Sequence, residues 1–208
     1  MAVLTVRRIR RLGVLDLSVL DEVGTDPRAT LPSLAIAGSS MMMLGLGGWL
    51  WWLTSGLGDT GTVLMKTVFI GALFSLALWL VWLVVVYVVL QRITHTTINV
   101  ERLVRAAGMA TAPLTIGLLM VIPGISFGIG LVALGAWALT TQAAIERATG
   151  LTGRPVVIAN TAGFAVWALA MSLLATSTSQ IAPGPFLAES IWEAVTTFDY
   201  YSEVVLGS

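Results

Sequence analysis

The sequence predicts an all-α polytopic membrane protein, a five-helix transmembrane bundle with amphipathic N- and C-terminal helices. Three observations carry this prediction. First, the 208 residues are 57% hydrophobic and only 11% charged, whereas soluble domains carry about 25% charged residues. Second, long uncharged runs give room for several helices of roughly 20 residues, the length that crosses a bilayer. Third, the positive charges gather in alternate connecting segments, as in multi-pass proteins.

We expect three regions in the chain. Residues 1–30 form a cytoplasmic amphipathic segment, residues 31–175 form the membrane domain, and residues 176–208 form an acidic extracytoplasmic tail. The predicted spans are 34–53, 67–90, 106–122, 126–144 and 156–175.

The N-terminal segment mixes apolar residues with an arginine cluster, Arg7, Arg8, Arg10 and Arg11. These arginines either bind anionic headgroups, at about 1 kcal/mol for each charge near the surface, or simply fix the topology, and the sequence leaves both open. Acidic residues follow where a cleavable signal would need an apolar core. Asp26 and Pro27 then predict a helix N-cap and a first helical position.

The first two spans are continuous apolar runs. Residues 29–58 carry no charge, and Trp49, Trp51 and Trp52 crowd the far end of the first span. Amphipathic indole rings prefer the headgroup region, so we expect these three residues to anchor the span at the membrane surface. The second span contains a run of valines. In lipid this run favours a helix, because a lone strand would leave its backbone unpaired.

The uncharged run at residues 106–145 is too long for one helix. Pro123 and Gly124 divide it, because proline removes a backbone donor and glycine lets the chain reverse. We expect a tight helical hairpin here. Pro113 should kink the third span, which membranes tolerate when neighbouring helices satisfy the freed carbonyl.

Arginine and lysine placement predicts the orientation. Ten arginines lie in the N-terminal segment and in the connections between spans two and three and between spans four and five, and Lys66 alone lies in the opposite connection. Positive residues favour the cytoplasmic side. We therefore expect a bacterial inner-membrane protein with its N-terminus in the cytoplasm and its C-terminus outside, the arginine-rich composition favouring a bacterial source.

Several short motifs carry a family resemblance. They are Asp21-Glu22-Val23 and Asp26-Pro27-Arg28-Ala29-Thr30 before the first span, Arg105, Ala106, Gly108, Ala110 and Pro113 in the third, Ile122-Pro123 at its end, and Trp137-Ala138-Leu139, Gly150-Leu151 and Arg154 before the fifth. With them, residues 15–175 resemble the bacterial branch of the Yip domain family (Ypt/Rab-interacting proteins). The resemblance implies five spans and a cytoplasmic N-terminus. Eukaryotic members are linked to Rab GTPases and vesicle traffic, whereas bacterial members generally have no assigned activity.

Small and polar residues inside the spans are candidates for helix packing. They are Gly45, Gly48, Gly124, Gly128, Gly135 and Asn160. Glycines spaced by four let two helix backbones approach closely, and a buried amide joins neighbouring helices. The glycines serve either the packing of this bundle or a face for a partner protein.

The tail predicts a second interaction surface. Leu187, Ile191, Val195 and Phe198 recur at helical spacing, with two glutamates off that stripe. We expect an amphipathic helix that lies on the membrane or on a partner. Its candidate docking residues are Ile191, Trp192, Val195 and Phe198.

No catalytic constellation occurs in the sequence, and we expect no enzyme and no cofactor apart from bound lipids. The leading hypothesis is a non-catalytic membrane scaffold, an accessory subunit that packs against other integral membrane proteins. A transporter or channel component is the alternative, and it would need an aqueous cavity lined by Thr140, Gln142 and Asn160. A further alternative is a pigment- or haem-associated subunit through His95, the only histidine.

Overall fold

The computed structural model describes residues 2–14, 16–55, 60–122 and 124–176, and every regular element in these ranges is helical. Two short helices come first, α1 (Ala2–Gly13) and α2 (Ser18–Thr25). The longer elements follow: α3 (Thr30–Ser55), α4 (Thr60–Leu64), α5 (Gly71–Thr94), α6 (Val100–Met109), α7 (Ser126–Thr149) and α8 (Arg154–Thr176). A π-helical turn (Met65–Ile70) links α4 to α5, and a 3₁₀ helix (Ala112–Val121) follows α6.

The described residues contain five helical segments that are long and apolar enough to cross a membrane. They are Pro27–Thr54, Thr60–Thr94, Val100–Val121, Ser126–Thr149 and Arg154–Leu174. The predicted fold class, an all-α polytopic bundle, is therefore confirmed. Most of these helices begin or end several residues outside the predicted spans, because helical structure continues from the apolar core into the charged flanks.

The entry into the first span follows the predicted cap. The Asp26 carboxylate accepts a hydrogen bond from the Arg28 backbone N–H at 3.0 Å, and Pro27 opens a short 3₁₀ turn (Pro27–Ala29) that continues into α3. A carboxylate oxygen satisfies a backbone donor that has no partner at a helix start. Asp26 thus sets where the first span begins.

The third span changes helix type at Pro113. The α-helical part ends at Met109 and the 3₁₀ helix begins at Ala112, because the proline nitrogen cannot donate the next α-helical hydrogen bond. The carbonyl of Ala110 loses its α-helical donor because the Leu114 N–H bonds to Thr111 instead, and it accepts a hydrogen bond from the Thr140 hydroxyl of α7 at 2.7 Å. The neighbouring helix therefore repairs the break, as expected for a proline inside a membrane helix.

Close backbone packing joins α3 to its two neighbours. A Cβ atom added to Gly45 would collide with the backbone of the π-helical turn, and one added to Gly47 would collide with the carbonyl of Gly117 in the 3₁₀ helix. Glycine is the residue that permits such approaches. These contacts hold the first three spans together.

An aromatic cluster fills the junction of α5, α7 and α8. Trp82 and Trp137 meet edge to face with ring centroids 4.8 Å apart, and Trp137 meets Trp167 in the same way at 4.9 Å. The indole N–H groups of Trp79, Trp82 and Trp137 have no hydrogen-bond partner among the described residues. Ring packing rather than hydrogen bonding therefore holds most of this junction.

Candidate functional site

The arginine-rich connections meet at one end of the bundle. The guanidinium of Arg102, near the start of α6, donates to the carbonyl of Arg147, in the last turn of α7, at 2.9 Å. Arg105 donates to the carbonyl of Gly24 in α2 at 3.0 Å. These contacts bring the N-terminal segment and the two inner connections together, as the charge pattern predicts. We call this the arginine-rich end.

Ion pairs attach α1 to α2 at this end. Arg8 pairs with Glu22 at 2.9 Å and with Asp26 at 3.0 Å. Arg11 pairs with the other oxygen of Glu22 and with Asp16, both at 2.8 Å. Glu22 therefore bridges two arginines that lie one turn apart on α1.

The carboxylates in these pairs are poised to stay ionised. The hydrogen bond from Arg8 lowers the pKa of Glu22, and the same guanidinium lowers the pKa of Asp26. The pKa of Asp16 is lowered first by the Ser18 hydroxyl and then by Arg11. Burial alone would lower the pKa of Arg8, but its hydrogen bonds to Glu22 and Asp26 raise the value above the ordinary one.

A second set of contacts attaches α2 to the bundle. Asp21 pairs with Arg147 at 2.6 Å and lies 3.7 Å from Arg102. A Cβ added to Gly24 would lie 3.2 Å from the Arg102 side chain, so the glycine allows α2 to lie close against α6. On its inner face, α2 buries Val19, Leu20 and Val23 completely. At the arginine-rich end, the apolar face of α2 therefore packs on the bundle, and ion pairs hold its flanks. We call this helix the α2 plug.

The structure divides the predicted surface anchors into two groups. Arg8 is only 6% exposed, so it does not serve as a free anchor for headgroups; its charge is used within the protein, as is that of Arg11. Arg7 and Arg10 are exposed, and no ion pair of the described residues includes them. At the other end, the Trp49 indole donates to the carbonyl of Thr60 at 2.9 Å. Trp51 and Trp52 are half-buried.

Two grooves run beside α1. A polar groove of about 330 Å³ lies along its first half and is lined by Leu4, Thr5, Arg8, Asp26, Arg28 and Pro32. An apolar groove of about 260 Å³ lies along its second half and is lined by Ile9, Leu12, Gly13, Ala112, Pro113, Thr115, Ile116, Ala136 and Thr140. Both threonine hydroxyls of the apolar groove donate to backbone carbonyls, so its walls present mainly hydrocarbon.

The outward face of α7 carries glycines that pack against none of the described residues. Gly128 and Gly135 are exposed, and a Cβ added to either would meet nothing within 4 Å. Leu131, Val132 and Leu139 on the same face are 51%, 61% and 73% exposed. Of the other predicted packing glycines, Gly45 packs on the π-helical turn, Gly48 is buried, and Gly124 (φ +83°) lies in the turn between the 3₁₀ helix and α7. We call the stripe from Gly128 to Leu139 the α7 face.

The polar residues considered for transport make separate local contacts. Asn160 donates to the carbonyl of Ala138 at 3.1 Å and so joins α8 to α7. Gln142 donates to Glu146 one turn away at 3.0 Å. Thr140 lines the apolar groove, but Asn160 and Gln142 do not. The structure does not bring the three residues around that groove.

His95 lies at the end of α5 and is exposed. It caps the helix in the left-handed conformation, with φ of 54°, which few residues other than glycine adopt. No group of three or more His, Asp or Glu residues in the described ranges could hold a metal ion. The predicted docking residues Ile191, Trp192, Val195 and Phe198 lie outside the described residues.

The sequence missed the α2 plug. The sequence does offer one signal, because Asp16, Asp21 and Glu22 are interleaved with arginines over residues 7–28, a pattern that indicates internal ion pairs. Their partners Arg102 and Arg147 lie 81 and 126 positions from Asp21. Nothing in a single sequence reports such pairings.

No protein-family model, curated protein or solved structure matches this chain.

Proposed function

We propose that this integral membrane protein is a non-catalytic scaffold, an accessory subunit that packs against other membrane proteins through the α7 face. The observation that carries the proposal is the pair of outward glycines, Gly128 and Gly135. Glycine in a helix costs about 1 kcal/mol relative to alanine. At several other helical glycines, such as Gly47, that cost accompanies a close helix contact, although Gly38 and Gly61 also have open space around them. On the α7 face no contact among the described residues accounts for it.

A partner helix explains this face. Small residues in membrane helices let backbones approach closely, which is the main source of helix association where water is absent. Gly128 and Gly135 are seven residues apart, two helical turns, so both lie on one stripe. The flanking leucines and valine would pack beside the approaching helix.

Transport is the less favoured function. A transport path usually needs ionisable or polar groups around a shared passage. Thr140 and Asn160 instead donate to backbone carbonyls of neighbouring segments, and each of these bonds stabilises the bundle. Those roles favour a structural protein.

The proposal extends to location and family. The arginine-rich end would face the cytoplasm of a bacterium, because positive residues stay on the side of insertion. The Yip-like motifs of residues 15–175 support the same placement and a role without catalysis.

The test is co-purification from native membranes in mild detergent. We expect the tagged wild-type chain to elute with at least one other membrane protein. A variant with Gly128→Leu and Gly135→Leu should elute alone while its melting temperature does not fall, since a Cβ added at either position meets nothing among the described residues and leucine favours a helix more than glycine does. Gly61→Leu is the matched control, because Gly61 also has open space around it but lies at the far end of the bundle.

A wild-type chain that elutes alone and monomeric would contradict the proposal. Equal loss of the partner in the Gly61→Leu control would also contradict it, since the effect would then not belong to the α7 face.

A further inference from the structure

We infer that the two grooves beside α1 form a binding site for one anionic phospholipid, with its phosphate in the polar groove and an acyl chain in the apolar groove. This site is separate from the α7 face and does not depend on the proposed scaffold function.

The two grooves lie beside the same helix, α1. Thr5 lines the polar groove and Ile9 lines the apolar one. Four residues of helix separate them, a rise of about 6 Å. The two grooves therefore follow one another along α1 within the length of a single lipid molecule.

The charges of the polar groove suit an anion. Its lining contains two guanidinium groups, Arg8 and Arg28, and one carboxylate, Asp26, so it carries a net charge of +1. Arg8 is committed to Glu22 and Asp26. The exposed Arg28 guanidinium is in no ion pair of the described residues, and only its backbone N–H binds Asp26. Arg28 is thus the cation available to a phosphate, and a planar guanidinium suits phosphate oxygens.

The walls of the apolar groove suit a hydrocarbon chain. Its volume of about 260 Å³ lies just below the range of small-molecule pockets, about 300–1,000 Å³. Ile9 and Ile116 are each 38% exposed in it. Because Thr115 and Thr140 already donate to backbone carbonyls, the groove offers little to a polar ligand and much to a hydrocarbon chain.

The charge of α1 completes the match to an anionic lipid. Arg7 and Arg10 are exposed, like Arg28, and lie outside the ion pairs that hold the helix. A helix with cationic and apolar faces lies in the membrane interface, and its attraction rises with anionic lipid content. A zwitterionic headgroup such as phosphocholine also carries a phosphate, but its quaternary ammonium would be repelled by the exposed arginines, so a lipid with net negative charge is the better match.

The experiment is native mass spectrometry of the purified full chain with added dioleoyl phosphatidylglycerol or dioleoyl phosphatidylcholine. We expect one phosphatidylglycerol to remain bound under conditions that remove phosphatidylcholine. Arg28→Ala should weaken phosphatidylglycerol binding about fivefold and phosphatidylcholine binding by less, which narrows the difference between the two lipids. Ile116→Trp should fill the apolar groove and abolish retention of the lipid. Ala136→Leu, also in that groove, is the second variant in case the tryptophan prevents folding.

The controls use the same substitutions elsewhere. Arg154→Ala removes an exposed arginine that lines neither groove, and Leu173→Trp enlarges an exposed residue of α8; both should bind as the wild type does. Equal retention of the two lipids would overturn the inference. So would equal losses in the controls, or full competition by glycerol phosphate, which lacks an acyl chain.

Discussion

Glu22 shows how one residue can decide the position of a whole helix. Its two oxygens bind Arg8 and Arg11, and these bonds hold α1 against α2. The pKa values of Glu22, Asp26 and Asp16 are all lowered by their partners. Groups with lowered pKa values stabilise the folded arrangement above their ordinary range, about pH 4, and lose that effect as the pH falls through the lowered values. The α1–α2 contact should therefore be stable at neutral pH and weakened in acid.

We predict that acid releases α1 from the bundle. A fluorophore on Arg7→Cys, in a chain that has no other cysteine, should show low rotational freedom at pH 7 and increased freedom below about pH 4. Glu22→Gln should show part of that increase already at pH 7, because the amide keeps the size but not the charge. Equal mobility of the label at pH 7 and pH 3 would contradict this account.

At the scale of elements, a hydrogen bond from Thr140 joins α7 to the third span, where the α-helix changes to a 3₁₀ helix. Its hydroxyl serves the Ala110 carbonyl that the helix break leaves free. The sequence predicted a distortion at Pro113 and a neighbour to repair it, since both follow from the chemistry of proline. Which neighbour does so depends on tertiary packing, which the sequence does not report.

We predict that Thr140→Val destabilises the purified chain by about 1 kcal/mol, the usual cost of losing such a hydrogen bond. Thr140→Ser should retain most of the stability, because it keeps the hydroxyl. Thermal unfolding in detergent measures both. If valine is as stable as serine at this position, the hydrogen bond does not support the third span.

At the scale of the whole molecule, the number of spans and their charged flanks were predictable from the sequence. The number of spans follows from the thickness of the bilayer, and the charged flanks follow from the uneven placement of arginine along the entire chain. The α2 plug and the grooves beside α1 were not predictable, because they depend on contacts between distant residues such as Asp21 and Arg147. Helical periodicity likewise could not tell glycines that pack inside the bundle, such as Gly45, from those that face outward, such as Gly135.

We predict that the arginine-rich end faces the cytoplasm. An impermeant thiol reagent should label Gly61→Cys in intact cells, because Gly61 is exposed at the start of α4, at the end of the bundle away from the arginine-rich end. Thr97→Cys, in the exposed connection after α5, should react only after the membrane is permeabilised. The reverse pattern of labelling would invert the proposed topology.

Cysteine cross-linking in native membranes tests the scaffold role most directly. Gly135→Cys lies on the α7 face, and Leu169→Cys is a matched position on α8 that is also exposed. A maleimide that carries a benzophenone, attached to Gly135→Cys and illuminated, should insert into a C–H bond of the partner and produce a discrete band of higher mass, while Leu169→Cys gives none. No band from Gly135→Cys, or equal bands from both positions, would contradict a partner on the α7 face.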